Sequence, residues 1–341
     1  AGLGVLPVAI AGAELVPHSP LEASRRLVRG LWSGTRRIFG LYLLLSSSLM
    51  IGFLLAGLSV FDAVSYAMSV SSTGGFANHA DSIGHFDDQA VTTVATVGMF
   101  AAGGNLAVVW WAFRGAYVSV WKSTELRLYV CLSFIGFVIV WASSGDLGVI
   151  ESAFAVASVV STTGLRSANW AGTNDLVVTI LIVGAGIGAM SASVGSGFRM
   201  ARVARIAIEL RRSLRRLLYP HRVEVIRMDG VAIDEESLER TITFLWMHTL
   251  ALGATALFLN ATNYDLLGTL TMAIGLMSNV GLVVDGSELS NVVDLSDMSR
   301  AVAAFFMVLG RLSIYPVLLT IGGIGRWFRR ARPARLVEGP K

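Results

Sequence analysis

Apolar runs long enough to cross a ~30 Å hydrocarbon core, roughly 20 helical residues each, occupy 38–60, 89–113, 127–145, 174–198, 241–261 and 298–325. Between them lie shorter apolar stretches: FDAVSYAMSV at 61–70, GVIESAFAVASVV at 148–160 and YDLLGTLTMAIGL at 264–276. Helices of that size reach roughly 15–20 Å at 1.5 Å per residue, about half a membrane, so each has to enter and leave by the same face. Each is followed by a cluster of small and polar residues, SSTGGF at 71–76, STTGL at 161–165 and MSNVGL at 277–282. The pattern predicts one unit written three times: a span, a half-span, a Gly/Ser/Thr cluster, an outer loop and a returning span. Gly75, Gly164 and Gly281 keep its register, and the longer interval between the last two contains a basic insertion at 199–240.

Composition fixes the class. Of 341 residues 54% are hydrophobic and 15% charged, and the mean hydropathy of +0.66 lies outside the range of soluble domains. The basic pI of about 9.5 and net charge of +4 raise nucleic acid as a partner, but the location of the charges excludes it. Twenty-four of the 27 Lys and Arg fall in 18–37, 114–127, 199–240 and 326–341, whereas 77–90, 166–175 and 283–299 carry eight acids against Arg166 alone. This is the positive-inside pattern: basic segments face the cytoplasm and acidic ones face out. The single cysteine, Cys131, permits no internal disulfide and reads as a small buried hydrophobe. His18, His79, His85, His221 and His248 have no metal-ligand spacing. No nucleotide-binding or nucleophile motif is present, so the chain reads as a non-enzyme that binds no cofactor.

The clusters suggest their own chemistry. An ion leaving water needs replacement oxygens, and fixed backbone carbonyls supply them inside a membrane. Glycine allows the close approach and backbone angles such a row needs. A half-helix that stops there aims its negative C-terminal end inward, which favours a cation, and Thr73, Thr162 and Thr163 add hydroxyl oxygens. The competing reading is turns that cap re-entrant helices in a transporter without a filter. Non-helical backbone at this depth has to be buried or line a water-filled path.

Ser72-Thr73-Gly74-Gly75-Phe76, Thr162-Thr163-Gly164-Leu165 and Asn279-Val280-Gly281-Leu282 resemble the filter loops of the Trk/Ktr/HKT superfamily of potassium-translocating subunits, most closely its TrkH/TrkG branch. The resemblance covers essentially the whole chain. It implies an all-α multi-pass membrane fold of pseudo-symmetric helix–pore-loop–helix repeats around a central ion pore, with three complete repeats and, at 1–17, only the end of a first. On that ground the chain is expected to be part of a longer protein. Leu165 stands where the family usually has Phe, and Leu282 where its TrkH-like members usually have Pro.

The resemblance also implies roles. K⁺ is the transported ion, held by Thr73, Gly74, Gly75, Thr162, Thr163, Gly164, Asn279, Val280 and Gly281. The stretch MSASVGSGFRMARV at 190–203 is similar to a small-residue break that acts in the family as a movable gate. Gly188, Ser191, Ser193, Gly195, Ser196 and Gly197 hold a helix poorly and are its gate residues here, with Val194 and Arg199 replacing the family's Thr and Lys. The alternative is a kinked helix at a packing seam. Arg311, in the middle of VAAFFMVLGRLSIYPVLL, costs about 2.5–3.5 kcal/mol to insert and matches a pore-facing arginine below the family's filter. The alternative for it is an internally paired arginine that packs helices, and Ser313 replaces a glutamate common in the family. Asn105 is either an inter-helix hydrogen-bonding residue or a pore-lining one.

The expected organisation is 1–17, end of the first repeat; 18–37, linker; 38–113, second repeat; 114–126, linker; 127–198, third repeat with gate loop; 199–240, basic cytoplasmic segment; 241–325, fourth repeat; 326–341, cytoplasmic tail. Arginines 202, 205, 212, 215 and 216 suggest a basic cytoplasmic helix that touches lipid headgroups, docks a cytosolic nucleotide-binding regulatory subunit (TrkA-like), or does both. The resemblance further implies a homodimer in a bacterial inner membrane. Na⁺ or mixed Na⁺/K⁺ permeation on the same fold stays open, as does a carrier or membrane enzyme with a midplane site for an anion.

Overall fold

A computed structural model of the chain describes residues 39–105, 108, 115, 120–121, 123–145, 147–167, 174–191, 193–219, 227–229, 231–233, 235–260, 266–281 and 297–312. The first-repeat remnant, the first linker, the C-terminal tail and residues Leu282 and Ser313 lie outside them.

Within that range the second unit comprises α1 (Phe39–Leu55), the short α2 (Val60–Ser71) and α3 (Gln89–Gly103), with a 3-10 turn at Ser82–Phe86. The third comprises α4 (Thr124–Ser143), α5 (Val149–Val160) and α6 (Asp175–Ile187). Then α7 (Met200–Leu218) leads to a hairpin of β1 (Arg227–Met228) and β2 (Val231–Ala232), antiparallel with Arg227 opposite Ala232. The fourth unit comprises α8 (Glu235–Asn260), α9 (Leu266–Ser278) and α10 (Asp297–Leu312). The helices start where the chain supplies caps: Ser59 accepts the Asp62 N–H, Asp88 that of Ala90, and Asn174 that of Leu176.

Each unit has its own packed centre. Phe53, Tyr66, Val70 and Met99 form one, Tyr129, Val156, Val159 and Leu181 a second, and Leu259, Met272, Ala273 and Ala303 a third. A fourth cluster, Phe198, Phe244, Met277 and Leu309, seals the junction between the 188–199 loop and the last unit. The units join in sequence, α3 against α5 and α6 against α9. The outer surface is apolar: Leu55 is 85% exposed, Leu257 76% and Leu250 69%. Such a surface suits a hydrocarbon solvent, and α4 and α8 are long and apolar enough to cross it unaided. The chain is an all-α multi-pass membrane protein of helix–loop–helix repeats.

Two expectations change. The apolar run 89–113 does not continue as one helix, because α3 ends at Gly103 with Gly104 as its extended cap; two glycines followed by Asn105 favour leaving the helix over prolonging it. Cys131 is not buried but exposed. It shares the outward side of α4 with Phe134 and Ile135, where lipid is as good a solvent for a thiol as a core is.

Candidate functional site

The three half-helices end in the same way. After α2, Thr73 donates its N–H to Val70 O (3.1 Å) and Gly74 to Ser69 O (2.8 Å); after α5, Thr162 donates to Val159 O (3.1 Å) and Thr163 to Ser158 O (2.9 Å); after α9, Asn279 donates to Leu276 O (3.2 Å) and Val280 to Gly275 O (3.0 Å). This is the Schellman arrangement, which satisfies terminal helix carbonyls by turning the next residue left-handed. The turned residue is not glycine: φ is 49° at Thr73, 59° at Thr162 and 54° at Asn279. A second left-handed residue follows two positions on, at Gly75 (70°), Gly164 (80°) and Gly281 (65°). Left-handed backbone costs a non-glycine residue roughly 1–2 kcal/mol, and such strain persists where surrounding structure enforces it, most often at functional sites.

The loops also interlock. A Cβ on Gly75 would overlap the carbonyl oxygen of Thr163, and one on Gly164 would overlap that of Val280. Each glycine is therefore required by close approach to the backbone of the next repeat as well as by its φ. Thr73, Thr162 and Thr163 are buried. The Ser161 and Thr163 hydroxyls lie 2.7 Å apart, and Ser158 Oγ donates to Leu165 O at 2.7 Å, which fixes the chain just past Gly164. The outer turns are joined as well: the Ile83 and Gly84 N–H groups donate to Arg166 O, and Arg166 donates its N–H to Ser82 Oγ. Nearby, Asp62 accepts from Asn78 at 3.1 Å and lies 3.4 Å from His79, which stacks on His85.

The expected gate residues other than Arg311 fall in one segment. Helix α6 stops at Gly188 (φ 73°), and α7 restarts after Arg199, itself at φ 77°. Between them the chain loops back, with Ala189 donating to Ser196 O (3.3 Å) and Arg199 to Ile187 O (2.9 Å). This loop touches the third-repeat turn directly: Ser196 donates its N–H to Thr162 Oγ1 at 2.8 Å. A Cβ on Gly195 would sit 2.8 Å from Ser161 O, so no larger residue fits that approach. Arg311 reaches the same loop from α10, donating from Nη1 to Ser196 Oγ at 2.8 Å. Thr162, Ser196 and Arg311, distant in the chain, thus form one hydrogen-bonded series. Gly310 packs so close to α9 that a Cβ there would overlap Met277 O, and Asn279 Nδ2 donates to Met307 O at 3.0 Å.

Arg202 is not on the solvated part of α7. It is buried, lies 3.7 Å over the Phe244 ring and donates to Phe198 O at 3.2 Å. Residues 205–219 are more exposed. Asn105 is half-buried just past α3. Sequence reasoning missed Glu125, a buried carboxylate in the first turn of α4 that accepts the Ser191 N–H. Its only sequence signal is an acid opening an otherwise apolar run, which reads equally well as an exposed helix-start residue.

No group of three or more His, Cys, Asp or Glu side chains among the described residues could hold a resident metal ion. The site's chemistry is that of backbone carbonyls and hydroxyls, hard oxygen donors suited to an alkali cation in transit.

Residues 105–322 match the family model described as TrkH, cation transport protein. The chain is 24% identical to the Trk system potassium uptake protein TrkH of Vibrio parahaemolyticus, the alignment covering 94% of this chain and 70% of that protein. Similarity of the same order, 23% and 24%, extends to TrkH and TrkG of Escherichia coli K12, again over 70% of their lengths. The crystal structure of the potassium transporter TrkH from Vibrio parahaemolyticus superposes with a TM-score of 0.80 at 24% identity, covering 93% of this chain and 69% of that one. At that identity the superposition speaks to the fold.

Proposed function

The chain belongs to the TrkH family of cation transport proteins, and from that premise we propose that it is the ion-conducting subunit of a Trk-type K⁺ uptake system. K⁺ sheds its hydration shell against the carbonyl oxygens of 73–75, 162–164 and 279–281, with the threonine hydroxyls as further ligands. The C-terminal ends of α2, α5 and α9 add negative potential at the same point. Passage is passive. The 188–199 loop and the Arg311 charge set the barrier beneath, since a fixed cation on the path repels another. By family likeness the protein is a homodimer in the bacterial inner membrane, opened by a cytosolic nucleotide-binding subunit. The Trk system names of its relatives support K⁺ as cargo and a multi-component assembly.

The single observation that carries this reading is the threefold repetition of one strained turn, with the repeats' backbones touching at Gly75 and Gly164. Ion flux into liposomes holding the full-length protein tests it. K⁺ should exceed Na⁺, and Gly164→Ser should abolish the preference. Unchanged preference in that variant would overturn the filter.

A further inference from the structure

Glu125 is the one acid among the described residues that is buried, at 6% exposure, and the pathway above does not use it. Its Oε1 accepts the Ser191 N–H. The Ser191 and Asn105 side chains and the Ala201 backbone also face it. Three separate segments therefore share this carboxylate: the loop 188–199, the chain just past α3, and the first turn of α7. Beside it the Met190 N–H donates to Gly103 O at 3.0 Å. An ionised carboxylate out of water is costly unless donors surround it. Here the positive end of α7 supplies part of that environment, and charge-assisted hydrogen bonds are the strong kind.

The loop is thus held from two sides. Thr162 and Arg311 grip Ser196 from the filter side, while Glu125 grips Ser191. Only the second grip also holds α7. That helix extends past the buried first turns to Arg212, which pairs with Glu209 and with Glu235 of α8 at 3.4 and 3.3 Å. A displacement of α7 shifts Ala201 relative to Glu125.

We propose that Glu125 is a positioning residue, the latch that keeps the 188–199 loop in place and through which α7 releases it. The proposal rests on the gate reading of that loop. Glu125→Gln keeps the size but removes the charge and presents an amide to N–H donors. It should raise K⁺ flux through the full-length protein about tenfold, the equilibrium factor expected for one lost charge-assisted bond, with the K⁺/Na⁺ ratio unchanged. Glu125→Asp should stay near the parent rate. In a Cys131→Ala background, Ser193→Cys should become reactive to a cytoplasmic thiol reagent only when Glu125→Gln is also present.

Ser196→Ala, which frees the loop from Arg311, separates the two ideas. If it raises flux while Glu125→Gln does not, the latch is wrong and the gate stands. If neither raises flux, the gate reading fails and the latch with it. Lower thermal stability in Glu125→Gln without gain of flux or Ser193→Cys labelling would mean a merely structural carboxylate, and overturns the proposal.

Discussion

Thr162 holds two positions at once. Its backbone takes the strained left-handed turn after α5, and its hydroxyl accepts the Ser196 N–H from the loop. Thr162→Val is nearly isosteric but leaves that buried N–H without an acceptor, a loss of about 1–3 kcal/mol. Thermal unfolding in detergent should show it, with Thr162→Ser close to the parent. Gly164 is constrained more severely, since its φ and the Val280 carbonyl both oppose a Cβ. Gly164→Ala should therefore abolish selective K⁺ flux even if protein still reaches the membrane, and parental flux and selectivity in that variant would disprove the interlock. Among the described residues no carboxylate pairs with Arg311; what it grips is a serine hydroxyl. Arg311→Gln should raise flux, because the positive charge and its hold on the loop are lost together.

At the scale of the element, α2 and α5 are the same half-helix written twice, yet one serine differs in use. Ser158 on α5 ties down Leu165 O, whereas its counterpart Ser69 on α2 is buried and its hydroxyl has no hydrogen-bond partner among the described residues. Ser158→Ala should destabilise by about 1 kcal/mol, while Ser69→Ala should be neutral or stabilising, because deleting an unsatisfied hydroxyl removes a desolvation cost. Paired melting curves decide it, and equal losses in both would mean that the two ends are held alike. The half-helices themselves were legible. Stretches at 61–70, 148–160 and 264–276 correspond to Val60–Ser71, Val149–Val160 and Leu266–Ser278, because an apolar run ending in a Gly/Ser/Thr cluster has few other ways to satisfy its backbone in lipid. The early end of α3 was not, since Gly103 and Asn105 interrupt a run whose hydropathy hardly changes.

Across the whole molecule, the basic α7 and the acidic outer turns should lie on opposite sides of the membrane. On a Cys131→Ala background, Asp87→Cys, exposed beside the 3-10 turn, should label from outside, and Arg216→Cys, exposed on α7, from inside. Labelling of both from one side would remove the orientation on which the pathway's direction depends. The joints between repeats include small-residue contacts, such as Gly103 against Ser161. That is how helices associate when lipid offers no hydrophobic penalty for staying apart.

Hydropathy and the repeated clusters determine by themselves a membrane chain and its half-spans, and the distribution of Arg and Lys predicts its side-to-side orientation, because the bilayer imposes those constraints locally along the sequence. Which apolar side chains face inward stayed undetermined, as Cys131 illustrates, since a lipid-facing side and a protein-facing side are equally apolar. Only the tertiary structure brings Ser196 to Thr162, Arg311 to Ser196 and Glu125 to Ser191. These contacts join residues from 34 to 115 positions apart, and their partners are set by how the repeats close on one another, which no local pattern encodes.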